Sequence, residues 1–499
     1  MPPAWPQRES VSIQDEMSLS RRKFVTASTL ATASARAAGR KRPNILFLMP
    51  DQHRYHAVGC LGNADVKTPH LDRLASEGVI LDHVFANTPV CCPARSVLLT
   101  GQYCHRNGMV ANDLRLREGS VSFPQLLRDA GYRTGFVGKW HLDGGPREPG
   151  FVPPGPRRQG FEFWAAHQCS HRHFDNHYFR DTDQPIKLGK FEAEGWADLA
   201  VEFLGQTKSD PRPFYLTVQW GPPHDPYKAP ERYSRAYPPE QLEMRANYTP
   251  GQHVPAPKDI AEYYGMVTAL DDQVGRLMAK LDELGLRENT IVLYSSDHGD
   301  MLGSQGERLK RKPWEESIRV PGFLRWPGKV RPNTRSDVFF THVDFAPTLL
   351  GMAGVPVPKA MQGRDLSGPI VQRKGRGPDS AFFQIFGPFA GDGTNGGWRG
   401  VRTATHMYAR YVDRPWVLYD LQKDPFQQTN LVGKPEAAAI EAGLQKRLAQ
   451  WMKETGDAWS YNWTQPLEDG GRLYKHQTFY TVAEYLAWAK QHPELAPNG

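Results

Sequence analysis

Four apolar runs along the chain break off into polar or charged residues: Ile45–Met49 before Asp51, Thr134–Val137 before Lys139, Phe214–Val218 before His224, and Ile291–Tyr294 before Asp297. Runs that are apolar at every position, rather than at every second one, predict strands buried on both faces, as in a parallel sheet. Between them lie helical patterns. One spans Ser122–Ala130 and stops at Gly131; another spans Ile260–Leu286, with Tyr264, Val267, Leu270, Val274, Leu277 and Leu281 at spacings of three and four. The alternation predicts an α/β fold, with a mainly parallel central sheet flanked by helices. Open sheets of this kind bind ligands past the carboxyl ends of their strands, where these polar residues fall.

After about residue 370 the texture changes. A Gly-rich loop, Gly387–Gly400, precedes strand-like runs at Val401–Thr403, Met407–Val412 and Val417–Leu421, and a helical stretch runs from about Pro435 to Thr455. The expected organisation is a leader over residues 1–40, a main domain over 41–370, and a smaller C-terminal α+β subdomain over 371–499.

The 499 residues carry a formal charge of +7, and five of those charges come from residues 1–42. The basic excess therefore belongs to the leader and does not mark a nucleic-acid surface. Ser20-Arg21-Arg22-Lys23-Phe24-Val25, followed by a weakly apolar Thr/Ala/Ser run and the small residues Ala33-Ser34-Ala35, resembles a twin-arginine export signal. It predicts a periplasmic or extracellular protein. No run approaches the roughly 18 apolar residues that a membrane span needs. Five scattered cysteines without a CxxC pair make neither a disulfide scaffold nor a structural zinc site, although export permits pairing.

The segment Cys91-Cys92-Pro93-Ala94-Arg95, running on to Thr100-Gly101, carries the chemistry. Pro93 suits the first turn of a helix and Gly101 its end. Cys91 then sits at a helix N-terminus, where free N–H groups favour an anion. By itself the segment would fit two buried thiols before a core helix. Cys-x-Pro-x-Arg followed by Thr-Gly, however, resembles the signature of the formylglycine-dependent (type I) sulfatases of the alkaline phosphatase superfamily. Gly131-Tyr132-Arg133-Thr134-Gly135-Phe136-Val137-Gly138-Lys139-Trp140-His141 is similar to that family's second signature. Val343–Leu350, Leu418–Leu421 and Asn430-Leu431 extend the likeness over most of the chain.

The resemblance implies that a separate formylglycine-generating enzyme oxidises Cys91 to an aldehyde, whose hydrate attacks sulfur. It implies a cation held by Asp51, Gln52, Asp297, His298 and the modified Cys91. Oxygen ligands suit calcium, while the imidazole of His298 leaves magnesium and manganese open. Gln52 stands where many relatives carry a second aspartate. Lys139 and Lys310 neutralise sulfate, with Lys312 as an alternative to Lys310. His224 protonates the leaving alcohol, His141 takes the proton of the second hydroxyl, and Arg95 orients the modified residue. Strand alternation would put Lys139 and His141 on one side of an extended chain. Asn112 resembles a sulfate contact.

A sulfated polysaccharide fragment is the first expected substrate, with choline sulfate or an aryl sulfate as alternatives. His167–Asp181 and Gly387–Gly400 are the expected rim of the site. A phosphonate monoester hydrolase or phosphodiesterase of the same superfamily is the rival enzyme. A carbohydrate-binding pseudoenzyme with unmodified Cys91 is the rival of another class.

Overall fold

The structure, a computed structural model, describes residues 42–144, 150–386 and 397–459, with a few short pieces beyond 471. The proposed leader and most of the Gly387–Gly400 loop lie outside the described residues.

Eight strands form the central sheet: β1 (Asn44–Pro50), β2 (Val79–Phe85), β3 (Arg133–Lys139), β4 (Phe163–His167), β7 (Phe214–Trp220), β8 (Thr290–Tyr294), β9 (Phe323–Arg325) and β10 (Thr334–Thr341). Between β4 and β7 lies a two-residue pair, β5 (His177–Tyr178) and β6 (Ile186–Lys187). The order across the sheet is β10-β2-β9-β8-β1-β7-β3-β4. All neighbours run parallel except short β9, which is antiparallel to both β2 and β8.

The uninterrupted apolar runs have a simple cause. In β1, Ile45, Phe47 and Met49 enter one core while Leu46 and Leu48 enter another on the opposite face. Strand β8 divides in the same way, with Ile291 and Leu293 on one side and Val292 and Tyr294 on the other. Pleating sends successive side chains to opposite faces, so a sheet covered on both needs apolar residues at every position. The helix expected at Ile260–Leu286 spans Pro257–Glu283 and covers one face with Met266, Leu270, Val274, Leu277 and Leu281. The helix His342–Ala353 covers the other with Val343, Phe345, Leu349 and Leu350.

Beyond this core, β11 (Ser380–Phe386), β12 (Gly397–Thr403), β13 (His406–Arg410) and β14 (Pro415–Asp420) form an antiparallel sheet, followed by the helix Ala438–Thr455. Phe382 and Phe386 of β11 join the main core beside Trp451 of that helix, while Phe383 and Ile385 pack with Phe85 and Trp398. Among the described residues no helix is long and apolar enough to cross a membrane. All five cysteines are free thiols.

Candidate active site

Because β1, β2, β3, β4, β7 and β8 run the same way, their carboxyl ends bring segments far apart in sequence to one edge. Strand β2 leads into the helix Cys91–Thr100, which is buried along its whole length. Its Val90 N-cap makes no side-chain capping bond; instead Asn112 Oδ1 accepts the Cys92 N–H at 3.0 Å. Gly101 closes the helix with φ 62°, a left-handed conformation that costs glycine little. Cys91 and Arg95 stand one turn apart and share a face.

Cys91 Sγ faces a buried cluster of charged side chains. It is 3.2 Å from His298 Nε2 and 3.7 Å from Asp51 Oδ1. Asp51, Cys91, Asp297 and His298 are all buried, and each offers a ligand atom within 4.8 Å of the others. His298 Nε2 is 3.6 Å from Asp51 Oδ1 and 3.7 Å from Asp297 Oδ1. Burial and the neighbouring Asp51 charge push the Asp297 carboxyl up. Asp51 is also buried, yet Lys139, His224 and Arg95 together hold it well below the usual carboxylate range. Two carboxylates sharing a dry site, with an imidazole between them, fit a divalent cation that would relieve their repulsion.

Arg95 is turned to the protein, with four of its five N–H donors taken. Its Nε donates to Asp297 Oδ2 at 3.0 Å, Nη1 to the Lys139 carbonyl at 2.8 Å and Gln219 Oε1 at 2.6 Å, and Nη2 to Asp51 Oδ2 at 3.3 Å. A planar fork suits holding two carboxylates at fixed separation. Lys139 Nζ lies 2.5 Å from Asp51 Oδ2. Burial opposes ionisation of the Cys91 thiol, but Lys139, Lys310 and His298 prevail and hold it well below the ordinary cysteine value.

Gln52 sits beside this group in a bridging role. Its Nε2 donates to Asp300 Oδ2 at 2.6 Å and its Oε1 accepts from Lys310 Nζ at 2.7 Å. Lys310 also approaches His224 Nε2 at 2.8 Å, whereas Lys312 Nζ points to Glu307 at 3.2 Å. Only Lys310 of the two is buried.

His141 arrives by a different route from the one expected. Strand β3 ends at Lys139, and His141 takes φ 57°, so the two side chains do not follow strand alternation. His141 Nε2 is instead fixed 3.1 Å from Asp113 Oδ1. Burial pulls the His141 imidazole down, but Cys169, Asp113 and Cys91 outweigh it and hold it up at about 9. Gln52, Asp113 and His141 all have positive φ, conformations that cost a side-chain-bearing residue about 1–3 kcal/mol and cluster where geometry is dictated by function. Asn112 Nδ2 and His141 Nδ1 are buried without a hydrogen-bond partner, which suits groups awaiting an anion or its hydroxyl.

The structure thus gathers Asp51, Gln52, Cys91, Arg95, Asn112, Lys139, His141, His224, Asp297, His298 and Lys310 at one sheet edge, and leaves Lys312 turned away. It adds Asp113, Gln219 and Asp300, which the sequence reading passed over. Asp113 follows Asn112 directly, and Asp300 lies three residues past Asp297, so adjacency was the signal available. The histidines of His167–Asp181 do not all form a surface rim: His167 and His173 are buried.

Comparison with known proteins agrees with this geometry. The family model described as Sulfatase matches residues 43–355, and that for the N-sulphoglucosamine sulphohydrolase C-terminal region matches 303–454. An ulvan-active sulfatase of Formosa agariphila is 37% identical over 83% of this chain and 82% of its own. An N-acetylglucosamine-6-O-sulfatase of Bacteroides thetaiotaomicron is 26% identical over 83% of this chain and 86% of its own. A solved structure from Bacteroides fragilis, of a chain assigned as a sulfatase, superimposes with a TM-score of 0.77 at 30% identity, covering 84% of this chain and 97% of that one. This chain belongs to the sulfatase family and is a sulfuric ester hydrolase.

Proposed function

We propose that the protein desulfates a sulfated carbohydrate outside the cytoplasm, using formylglycine made from Cys91 by a separate maturation enzyme. The observation that carries this reading is the placement of Cys91 Sγ at a buried helix N-terminus, 3.2 Å from His298 and 3.7 Å from Asp51, with Lys139 and Lys310 overcoming burial at the thiol. The twin-arginine-like leader and the glycan substrates named for the two curated relatives support the location and the substrate class.

Hydrated formylglycine would supply one hydroxyl as nucleophile and a second through which sulfate is released. A divalent cation, calcium in the first instance, would be held by Asp51, Asp297, His298 and the oxygen replacing the Cys91 sulfur, with Gln52 alongside, and would supply Lewis-acid charge at sulfate oxygen. Lys139 and Lys310 bring cationic nitrogens to the same oxygens. His224, next to Lys310, gives its proton to the departing alcohol, and His141, oriented by Asp113, then takes the proton of the second hydroxyl, so that sulfate is expelled and the aldehyde reforms. Asn112 Nδ2 is free to donate to the anion, and Arg95 holds the two aspartates.

The test is a panel of sulfated glycans, choline sulfate, an aryl sulfate and the matching aryl phosphonate and phosphate esters, assayed side by side. The reading expects the highest kcat/KM on a sulfated glycan. Faster turnover of the phosphonate or phosphate ester than of any sulfate would overturn it.

A further inference from the structure

Alternate residues of one short segment after β4 reach both histidines assigned to proton transfer. The imidazole of His171 lies tilted against that of His224, with centroids 4.0 Å apart and planes at 31°. His171 Nε2 lies 3.6 Å from Cys169 Sγ, and Cys169 in turn acts on His141. His173 Nε2 is 2.8 Å from the His224 carbonyl oxygen and its Nδ1 is 2.8 Å from Glu192 Oε1. Both partners of His173 only accept, so both of its nitrogens must carry protons. His173 is therefore an imidazolium paired with a buried carboxylate, and Asn176 donates to the other oxygen of that carboxylate. Burial opposes the charge on His173, but Glu192 raises its pKa above the ordinary value.

The His224 loop also presses on this pair directly. A Cβ at Gly221 would lie 2.1 Å from Glu192 Oε1, so the loop approaches as closely as glycine allows. Burial and then the His224 charge hold His171 down at about 4, so the ring against His224 is neutral.

We propose that Cys169–His173 is a positioning strap for the proton donor: His171 fixes the face of the His224 ring, and the His173–Glu192 pair fixes its backbone. This rests on the reading of His224 as the donor to the leaving alcohol. A ring free to turn about its χ2 bond would present its donor nitrogen off line, and small misplacements of a catalytic group cost large factors in rate. His171 acts through His224, and an apolar ring of similar shape preserves its role.

The experiment is a leaving-group series, from nitrophenyl sulfate to an alkyl or sugar sulfate, on wild-type, His171→Ala, His171→Phe and His224→Ala enzyme. The strap predicts that His171→Ala lowers kcat on the sugar sulfate about tenfold, with KM within about twofold and nitrophenyl sulfate nearly unchanged. His171→Phe should restore most of the loss. Equal losses on all substrates for His171→Ala, a rise in KM alone, or no rescue by phenylalanine would overturn the strap. If His224→Ala shows no leaving-group dependence, the donor assignment falls with it; if His224→Ala shows it and His171→Ala does not, only the strap falls.

Discussion

Lys310 Nζ lies 2.8 Å from His224 Nε2, and both side chains are buried. Nδ1–H donates to the Asp225 carbonyl at 2.7 Å, which turns Nε2 to Lys310 Nζ, and whichever of the two carries the proton shares it across this contact. One proton therefore lies between lysine and histidine. The pair can pass it to a leaving alcohol without drawing on bulk water.

Replacing Lys310 by Met should lower kcat/KM on a sugar sulfate by about 10²–10⁴, the range typical of losing general acid catalysis. Lys312→Met should leave it within about twofold, since Lys312 reaches only Glu307. Steady-state rates of the two variants decide it. A larger loss in the Lys312 variant would transfer the role and break the proposed proton path.

Removing divalent cations, or changing Asp297 to Ala, should lower turnover by several orders of magnitude, because a Lewis acid contributes several kcal/mol at the transition state. Elemental analysis should find about one metal per chain in active protein, and calcium or magnesium should restore the stripped enzyme. Undiminished turnover in chelator, with no metal bound, would refute the cation.

Asp271 offers a test of stability away from the site. On the helix Pro257–Glu283, its carboxylate accepts the N–H groups of His70 at 3.0 Å and Leu71 at 2.7 Å, capping the helix Pro69–Ser76. Burial, outweighing those two bonds, pushes it up to about 7 from 3.8. The folded chain thus keeps a proton that the unfolded chain releases, and stability falls as pH rises between those two values. The slope is up to about 1.4 kcal/mol per pH unit. Asp271→Asn cannot titrate, so its Tm should be lower in acid but flatter from pH 4 to 7. An unchanged slope would show that Asp271 ionises normally.

Strands β1, β3, β7 and β8, buried on both faces, are legible in the sequence, whereas β2, β4, β9 and β11 are not, although β11 is buried at every position. Runs such as Ile45–Met49 and Ile291–Tyr294 announce themselves because two cores need every position apolar. Strand β2 carries Asp82 and His83, both only partly buried, in its middle, and β9 has three residues, so neither gives a clear periodic signal. At the site, the two signatures placed Cys91, Arg95, Lys139 and His141 by residue type and spacing. Partners such as Gln219, Asp113 and Glu192 come from a strand end, a turn and a helix elsewhere in the chain, and only the folded chain shows that they touch Arg95, His141 and His173. The left-handed turn at His141 was equally hidden, because no glycine marks it.

The most direct test of the account is to measure sulfate release against the state of Cys91. Preparations made with and without the maturation enzyme are digested, and the tryptic peptide Leu74–Arg95, bounded by Arg73 and Arg95, is weighed to give the fraction carrying the aldehyde. The account predicts that turnover per chain rises in proportion to that fraction and vanishes with the intact thiol. Full sulfatase turnover by protein whose Cys91 is entirely thiol would contradict it.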